Sequence, residues 1–590
     1  MSDRITINID GRDIPALQGQ TVLEAAQNAG IEIANLCKSP ELAPYGACGL
    51  CVVEAKGVPK LLRACSATVS DGMEISTNSP RVEKGRRLAL ELIMGDHDAD
   101  CVAPCSIACP AHTDCQKYIR LINEGKYDEA VLVIKEKIPL PSSIGRVCPH
   151  PCETQCRRQN VENSISICAL KAFASDTAQF GGAPVLPEKK PATGKSVGII
   201  GGGPAGLTAA YFLALEGHSV TVYDKMPKAG GMLRYGIPEY RLPKKVLDAE
   251  IAIIESLGVE IKCGVEIGTE ADLEDIRARH DALIVANGAW KSSSIRCKGE
   301  ELEGVFGGID FLREVALGNR PAIGDRTAIV GGGNTAMDAC RTAVRLGAKE
   351  VSVIYRRTRD EMPAEDLEID EAIEEGVNFL FLTNPDEIIG ENGRVSSVRL
   401  QKMRLGEPDE RGRRSPVPIE GEFVTLGLDS IIIAAGQKNS PDGFTALRTT
   451  KRGTIEADEN TLLTSMPGVF AAGDCTNKGA GIAIEAIAEG GRAAKAVDAY
   501  LLGAELDFTP KVISKRRLEN IDFSKETPAE RQRQSTRPAS ERRNDFLPVA
   551  AIFTEDQAKA ESARCLQCGC HAYGECRLIR YADMYKVDVD

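Results

Sequence analysis

The chain has 590 residues and a formal net charge of −13. This length predicts three to five domains, each large enough to bury a core. The acidic balance excludes nucleic acid as an expected partner. No apolar run approaches the ~20 residues that span a bilayer, and the first residues lack the apolar segment of a signal peptide. We therefore expect no membrane span and a cytoplasmic location.

Twenty cysteines are many for a chain in a reducing compartment, where disulfides rarely persist. Sixteen of them fall into three groups, within residues 37–65, 101–168 and 565–576. Clustered thiols of this kind indicate metal or iron–sulfur ligation.

The first group encloses a small-residue loop, Gly46 to Leu50, whose backbone N–H groups can point at cluster sulfides. Its members are Cys37, Cys48, Cys51 and Cys65. Residues 1–79 resemble the plant-type [2Fe–2S] ferredoxin domain of complex I large subunits and iron-only hydrogenases. The resemblance implies a β-grasp ferredoxin-like fold. The alternative is a four-thiolate zinc site.

The second group lies in residues 80–192, where residues 82–94 and 118–136 show helical periodicity. It comprises Cys101, Cys105, Cys109, Cys115, Cys148, Cys152, Cys156 and Cys168. Thiols far apart in sequence can interleave between two clusters. The region resembles the helical domain of the glutamate synthase small subunit, shared by dihydropyrimidine dehydrogenase and the NADPH-binding subunit of electron-bifurcating transhydrogenase. That domain holds two [4Fe–4S] clusters.

The resemblance implies that Cys101, Cys105 and Cys156 bind one cluster, and that Cys109, Cys148 and Cys152 bind the other. The sequence departs from the family at the fourth ligand of each. For the first cluster, either His97 or Cys115 could complete the set. For the second, Lys171 stands near the family's Glu or Gln and cannot be a ligand. Cys168, three residues earlier on the same helix face, is assigned that role.

A strand–turn–helix pattern at residues 197–215 predicts a dinucleotide site. Gly201, Gly203 and Gly206 suit a tight turn, close approach to a pyrophosphate and close helix packing, respectively. An acid that can bind a ribose hydroxyl ends the next strand. The predicted contacts here are Gly201, Gly203, Pro204, Ala205, Gly206, Asp224 and Lys225. The alternative is a glycine turn in a nucleotide-free α/β domain.

Later segments extend this site. In the glutamate synthase small-subunit family the segment matching residues 230–243 wraps the flavin, which implies roles for Gly231, Met232, Leu233, Arg234, Ile237 and Pro238. Residues 281–288 predict a strand that returns to the nucleotide at Gly288, and residues 429–436 predict a strand that returns to the first sheet and ends at Gly436. In two-dinucleotide flavoproteins an aspartate in the position of Asp474, after Gly473, binds the ribityl chain. The helix starting at Gly481 and Ile482 then points at the isoalloxazine. The predicted dinucleotide is FAD.

A second strand–turn–helix opens at residue 327. Its turn contributes Gly331, Gly333, Asn334, Thr335 and Ala336. The next strand ends in Arg356 and Arg357, where an acid would bind the ribose of NAD. Arginine offers charge-assisted, bidentate bonds to a 2′-phosphate, so we expect NADP(H). The alternative is a surface arginine pair with NAD bound.

The C-terminal part begins with residues 511–548, which are rich in charge and proline and predict an extended arm over the surface or onto a partner. The last cysteines are Cys565, Cys568, Cys570 and Cys576. They could bind one [4Fe–4S] cluster or one zinc, and the other clusters favour iron–sulfur.

These segments predict a multidomain α/β chain with a two-dinucleotide-binding, Rossmann-like flavoprotein core. The expected domains are a ferredoxin-like domain (1–79), a helical Fe–S domain (80–192), an FAD domain (193–322 and 428–508), an inserted NADP(H) domain (323–427), a charged linker (509–550) and a Cys-rich segment (551–590).

The expected function is hydride exchange between NADP(H) and FAD, with single electrons passing through the [4Fe–4S] pair to or from the [2Fe–2S] centre. No side chain is expected to act as an acid or base. The C-terminal segment would be a side branch or docking point. Partners would be other redox chains of an anaerobe's electron-bifurcating complex: FMN/NADH-binding and ferredoxin-like subunits, or ferredoxin itself. The alternatives are a glutamate synthase small subunit with an added ferredoxin domain, an NADPH-linked subunit of a hydrogenase or formate dehydrogenase, and a zinc-stapled scaffold.

Overall fold

A computed structural model describes residues 4–39, 41–180, 185–410, 412–440, 442–506, 508 and 513–587. The chain forms two compact units. The first unit comprises Met1–Pro104, Phe508–Thr527 and Gln567–Asp590. The second comprises Cys105–Asp507 and Pro528–Leu566. No helix in the described ranges combines the length and apolar character needed to cross a membrane.

The N-terminal part of the first unit is a mixed sheet with two helices packed on it. Its elements are β1 (Arg4–Ile9), β2 (Arg12–Leu17), α1 (Val22–Asn28), β3 (Val52–Ala55), β4 (Leu62–Arg63), β5 (Glu74–Ser76) and α2 (Pro80–Gly95). The strand order is β2-β1-β5-β3-β4, with β1 parallel to β5. Thr21 and Glu24 cap α1 reciprocally, which fixes where the helix begins.

The second unit begins with a helical region. Its helices are α3 (Pro104–Ala108), α4 (Cys115–Asn123), α5 (Tyr127–Lys135), α6 (Pro141–Val147), α7 (Pro151–Thr154) and α8 (Ile167–Phe180). The periodic stretch 118–136 is therefore two helices. The break falls at Gly125, whose φ of +74° ends the first of them.

Two parallel sheets follow in the same unit. The elements up to the second glycine turn are β6 (Ser196–Ile200), α9 (Pro204–Leu215), β7 (Ser219–Asp224), α10 (Met232–Tyr235), α11 (Lys244–Ser256), β8 (Glu260–Cys263), α12 (Glu270–Ala278), β9 (Ala282–Val285), β10 (Lys291–Ser292), β11 (Val305–Gly307), α13 (Gly308–Ala316) and β12 (Arg326–Val330). The next are α14 (Asn334–Leu346), β13 (Glu350–Tyr355), α15 (Asp366–Glu374), β14 (Asn378–Phe381), β15 (Thr383–Glu391), β16 (Arg394–Pro408), β17 (Arg414–Gly427), β18 (Ser430–Ile433), β19 (Gln437–Lys438), β20 (Val469–Ala471) and α16 (Ala483–Leu502).

The first parallel sheet has the order β20-β9-β6-β7-β8, and the second has the order β11-β18-β12-β13-β14. The prediction that residues 429–436 return to the first sheet is wrong, because β18 pairs with β11 and β12. The strand before Gly288, β9, does lie in the first sheet beside β6, and β20 pairs with its other edge. A central parallel strand is apolar on both faces, so the run Ser430–Ile433 suits either sheet and its sequence does not choose between them.

The remaining elements are α17 (Ala539–Arg542), α18 (Glu555–Ala563) and α19 (Arg577–Met584). The predicted arm is mostly irregular, but it is not confined to the surface. The Arg542 guanidinium is 2% exposed and binds Glu375, which also binds Arg341 and Arg345. We call Glu371, Glu375 and these three arginines the buried arginine cluster.

Candidate functional site

The first glycine turn joins β6 to α9 at the carboxyl edge of the first sheet. Gly201 has a φ of +109°, and a Cβ there would lie 2.3 Å from the Ala286 carbonyl oxygen. A Cβ at Gly206 would lie 1.9 Å from the Gly201 oxygen. Both positions therefore exclude any side chain. A Cβ at Gly203 would meet only the Gly231 Cα, at 3.7 Å, so protein packing alone does not explain that glycine.

Asp224 ends β7 beside this turn and is 4% exposed. One carboxylate oxygen accepts from the Gly202 N–H and the other from the Met226 N–H, each at 2.7 Å. Burial raises the pKa of this carboxyl, although these two N–H groups oppose the change. Asp224 thus holds the glycine turn in place, and each oxygen retains a lone pair that a ribose hydroxyl can use.

A cavity of about 480 Å³ opens at this edge. This volume is typical of a cofactor site. The predicted contacts that line it are Gly201, Gly203, Pro204, Ala205, Asp224, Lys225, Gly231, Met232, Leu233, Ile237, Gly288, Asn334, Thr335, Gly473, Asp474, Gly481 and Ile482. Residues from both glycine turns therefore meet in one space.

The other predicted contacts are not among the residues that line this cavity: Gly206, Arg234, Pro238, Gly331, Gly333, Ala336, Arg356, Arg357 and Gly436. Arg234 is ion-paired with Asp248, and Pro238 lines a separate cavity of about 290 Å³. Gly206 instead serves the packing of the turn. A direct cofactor contact for these residues stays a prediction.

Two buried amide oxygens in the large cavity indicate a missing polar ligand. Neither Asn287 Oδ1 nor Asn334 Oδ1 has a hydrogen-bond partner within the described residues. Asn334 begins α14, where free backbone N–H groups favour an anion. Buried polar atoms are normally paired, so the two amide oxygens fit the hydroxyl donors of a dinucleotide, and the N–H groups at the start of α14 fit its phosphates.

Sequence reasoning missed several residues of the cavity. Trp290, the only tryptophan of the chain, donates from Nε1 to the Asn287 backbone carbonyl oxygen at 2.8 Å and lies under the Lys225 ammonium. Trp290 follows Gly288 by two residues, and this position in the sequence could have indicated that it lies in the cavity. Val147 and Pro149, on either side of Cys148, also line the cavity. A motif-based prediction assigned Cys148 only to a cluster and gave no role to its neighbours.

Asp474 is a predicted flavin contact, and its carboxyl group has a raised pKa. Its carboxylate accepts from the Gly481 N–H at 3.1 Å, and burial raises its pKa to about 6. A ribityl hydroxyl would donate to the ionised carboxylate and thereby favour the charged form.

We expect FAD affinity to fall about tenfold between pH 7.5 and pH 5, because protonation of Asp474 removes the charged acceptor. Fluorescence titration of the flavin-free protein measures this change. Asp474→Asn should bind weakly at pH 7.5 and lose the pH dependence. Asp442→Asn is the control, since Asp442 also lines the cavity but has a lowered pKa and stays charged. Equal pH slopes for the wild type and Asp474→Asn would contradict the assignment.

The two predicted phosphate-binding arginines differ in environment. Arg356 is exposed at the end of β13. Arg357 is 7% exposed, and its Nε donates to the Arg414 carbonyl oxygen at 2.9 Å. Arg356 is thus the better placed of the two to meet a ligand from solvent.

The thiols of the ferredoxin-like domain lie close together. Burial opposes ionisation of Cys48, yet N–H groups of Leu50, Leu36 and Cys37 together lower its pKa. Burial raises the pKa of Cys51 to about 12, with Cys65 in contact. Backbone N–H groups directed at sulfur are typical of iron–sulfur loops.

Five thiols of the helical region surround one buried lysine. Cys109, Cys115, Cys148, Cys152 and Lys171 line a small cavity. Cys168 contacts Cys148 and Cys152. Burial opposes the charge of Lys171, but the surrounding thiols raise its pKa. This set contains all four predicted ligands of the second [4Fe–4S] cluster.

The predicted ligands of the other two [4Fe–4S] clusters are divided between the units. Cys101 and His97 belong to the first unit, whereas Cys105 and Cys156 belong to the second. Cys568, Cys570 and Cys576 belong to the first unit, and Cys565 belongs to the second. Among the described side chains, no three of His, Cys, Asp or Glu converge as ligands of a single metal ion.

Three family models match the chain. The pyridine nucleotide-disulphide oxidoreductase model matches residues 195–490. The 2Fe-2S iron-sulfur cluster binding domain matches residues 2–80, and the 4Fe-4S dihydropyrimidine dehydrogenase domain II matches residues 97–182.

Curated relatives extend the comparison. The NADP(+)-dependent formate dehydrogenase subunit beta of Moorella thermoacetica is 41% identical over 79% of this chain and 70% of its own. The NADPH-Fe(3+) oxidoreductase subunit beta of Geobacter sulfurreducens is 38% identical over 79% and 75%. The NADPH glutamate synthase small chain of Azospirillum brasilense is 36% identical over 68% and 87%.

These matches confirm the predicted resemblance, the fold class and the oxidoreductase character of the chain. They also confirm FAD, NADP(H), a [2Fe–2S] domain and a [4Fe–4S] domain. The number of [4Fe–4S] clusters and the C-terminal cluster stay predictions.

Proposed function

Because the chain belongs to the pyridine nucleotide-disulphide oxidoreductase family, we propose that its large cavity holds FAD and the nicotinamide of NADP(H) together, next to an iron–sulfur cluster. The chain is an NADP-linked, FAD- and iron–sulfur-containing electron-transfer subunit of an oxidoreductase complex. The proposal specifies how its residues connect the cofactors.

One observation carries the proposal. The same cavity is lined by the first glycine turn, by Asn334 and Thr335 of the second turn, and by Val147 and Pro149. The last two residues flank Cys148, a predicted [4Fe–4S] ligand. Ile482 lines the flavin side of α16, whereas Ile484 lines the cavity of the thiols. The start of α16 thus contributes to both predicted sites.

Each side chain has a positioning role in this scheme. Asp224 and the first turn would hold one end of FAD, and Asp474 would hold the ribityl chain. Asn334 and Thr335 would hold the NADP pyrophosphate at the start of α14. Bound FAD can take two electrons as hydride and release them singly, so no protein acid or base is needed for the transfer.

The setting we propose is a complex with other redox subunits. A bifurcating NAD(H)/NADP(H)/ferredoxin oxidoreductase, with FMN/NADH-binding and ferredoxin-like chains, is one candidate. The 41% identity to a formate dehydrogenase beta subunit favours a second, in which a partner chain oxidises formate. Purification of the native complex separates them. Formate-dependent NADP+ reduction supports the second candidate, whereas a requirement for both NADH and reduced ferredoxin supports the first.

Anaerobic stopped-flow mixing tests whether electrons pass from NADPH to the flavin and then to a cluster. NADPH should bleach the flavin absorbance first, and the EPR signals of reduced clusters should follow. NADH should act much more slowly. Flavin reduction without any subsequent cluster signal would contradict a cluster beside the cavity.

Arg356→Ser should weaken NADPH binding roughly 10- to 100-fold, because a charge-assisted bond to the 2′-phosphate is lost. NADH binding should be unchanged. Arg357→Ser should have a smaller effect, since this side chain is packed against Arg414. Arg326→Ser is the matched control, because Arg326 begins β12 at the opposite end of the sheet and pairs with Asp429. An equal loss of NADPH and NADH affinity would contradict the assignment.

A further inference from the structure

The boundaries of the two units fall within two cysteine groups. One boundary lies between Cys101 and Cys105, and the other lies between Cys565 and Cys568. The first unit therefore holds the four ferredoxin-type thiols plus Cys101, Cys568, Cys570 and Cys576. The second unit holds Cys105, Cys109, Cys115, Cys148, Cys152, Cys156, Cys168 and Cys565. Each unit thus has enough thiols for complete four-cysteine sites.

Cys101 lies among the later C-terminal cysteines. Its neighbour Asp100 forms a parallel bridge with Gly569, and the Cys570 N–H donates to the Asp100 oxygen at 2.9 Å. Cys568 and Cys570 flank Gly569 in the chain and are brought to the same place. Cys101 and Cys576 pack on one apolar core together with Tyr573.

The sulfur of Cys101 already accepts a backbone hydrogen bond. The Ser514 N–H donates to it at 3.2 Å, and the Cys101 N–H donates to the Ser514 oxygen at 3.0 Å. Such N–H groups stabilise cluster-bound thiolates. His97 is tied to the same segment, because its carbonyl oxygen accepts from the Ser514 hydroxyl at 2.9 Å.

Cys565 is fixed to the helical region instead. It follows α18, and its half-buried side chain packs on the same core as Cys105 and Cys156. The preceding residue, Arg564, is 3% exposed and binds Glu162 and the Asn163 oxygen, at 2.8 and 2.6 Å.

The loop that Arg564 binds also contacts Cys156. The Ile165 N–H donates to the Cys156 sulfur at 3.5 Å, and the Ser166 N–H donates to the Glu561 carboxylate at 2.7 Å. Glu561 and Arg564 are ion-paired on α18 and just after it. Buried charge pairs of this kind hold one geometry, so they bring Cys565 to the Cys156 loop.

Gln567, which lies between Cys565 and Cys568 in the chain, has an unusual backbone conformation. Gln567 has a φ of +50°, in the left-handed region that non-glycine residues rarely adopt. It is the first residue of the C-terminal part of the first unit. A spacing of Cys-x-x-Cys normally predicts ligands of one cluster. Here a residue in the left-handed region stands between the two thiols.

We propose that Cys101 and Cys565 exchange the clusters that their sequence positions indicate. Cys101 completes a C-terminal [4Fe–4S] site with Cys568, Cys570 and Cys576. Cys565 completes the first helical-domain cluster with Cys105, Cys115 and Cys156. Cys115, which contacts Cys105, takes the fourth position, since His97 lies in the other unit. The inference rests on the proposed function for the presence of the clusters.

Pairs of substitutions in the full-length protein test the exchange. The wild type, purified anaerobically, should contain about 14 irons, two in one centre and four in each of three others. Cys565→Ala and Cys156→Ala should each lose about four, and their double variant should lose no more than four. Cys565→Ala combined with Cys576→Ala should lose about eight. Cys101→Ala combined with Cys576→Ala should lose no more than about four irons. Cys101→Ala combined with Cys156→Ala should lose about eight.

The pattern distinguishes the possible failures. If Cys565→Ala is additive with Cys156→Ala but not with Cys576→Ala, the exchange is overturned while the clusters stand. If the wild type contains zinc in place of iron, the proposed function itself fails. Flavin content and the [2Fe–2S] circular dichroism of every variant report on folding. If a variant keeps part of a cluster, EPR identifies the cluster whose signal has changed. Two substitutions at one cluster should then change the same signal, and substitutions at different clusters should change different signals.

Discussion

Glu375→Gln is expected to destabilise the second unit by about 3–5 kcal/mol, because it removes the carboxylate that pairs with Arg345 and one of the two that pair with Arg341 and with Arg542. The Glu375 side chain is fully buried and accepts from Arg341, Arg345 and Arg542. Burial opposes ionisation, but bonds from Arg345 and Arg341 lower its pKa to about 2. A glutamine amide would direct two donors at these guanidinium donors. Urea unfolding, followed by flavin release and circular dichroism, measures the loss.

The neighbouring residue provides a control. Glu374 is 59% exposed at its side chain, and within the described part of the chain it pairs only with Arg542. Glu374→Gln should cost at most about 1 kcal/mol. Because the pKa of Glu375 is depressed, its stabilisation is complete above about pH 4.5 and is lost only as the pH falls towards 2. Equal effects of the two substitutions at pH 7 would show that the cluster does not depend on Glu375.

Lys171→Met is expected to lower the reduction potential of the [4Fe–4S] cluster that we propose beside it by an amount on the order of 100 mV. Lys171 is 4% exposed and lines the cavity of Cys109, Cys148 and Cys152. A buried positive charge favours the more negative, reduced cluster, so its removal favours the oxidised form. An EPR-monitored redox titration of the full-length protein measures the shift.

Lys137→Met serves as the control, since Lys137 is exposed just after α5 in the same helical region. It should leave every potential within experimental error. A similar shift for both substitutions would point to a long-range charge effect. An unchanged potential in Lys171→Met would place the cluster away from this lysine.

The sequence predicted the local geometry of the nucleotide turns well. At Gly201 and Gly206 a side chain would collide with the chain's own backbone. Only glycine fits these two positions, so the glycine pattern in the sequence indicates the turn directly. Asp224 follows for the same reason, because its carboxylate binds the backbone of that turn. Local rules also set the start of α1 at Thr21.

Long-range choices were not predictable in this way. The strand Ser430–Ile433 is apolar throughout, and pairing with β12 depends on contacts distant in sequence. Arg542 lies in a segment whose composition indicates an exposed arm, yet its partner Glu375 is 167 residues away. The spacing of Cys565 and Cys568 predicts a single site, and nothing in that spacing indicates the ion pairs that Arg564 makes with Glu162 and Glu561.

The division of the chain has a consequence for its biosynthesis. Each unit is closed by a segment that is synthesised late: Phe508–Thr527 and Gln567–Asp590 in the first, and Pro528–Leu566 in the second. Domains usually fold in the order in which they leave the ribosome. If Cys101 and Cys565 bind clusters as proposed, the two clusters that they complete cannot form before residues 565–576 have left the ribosome. Iron delivery to these two sites would then follow the synthesis of almost the whole chain.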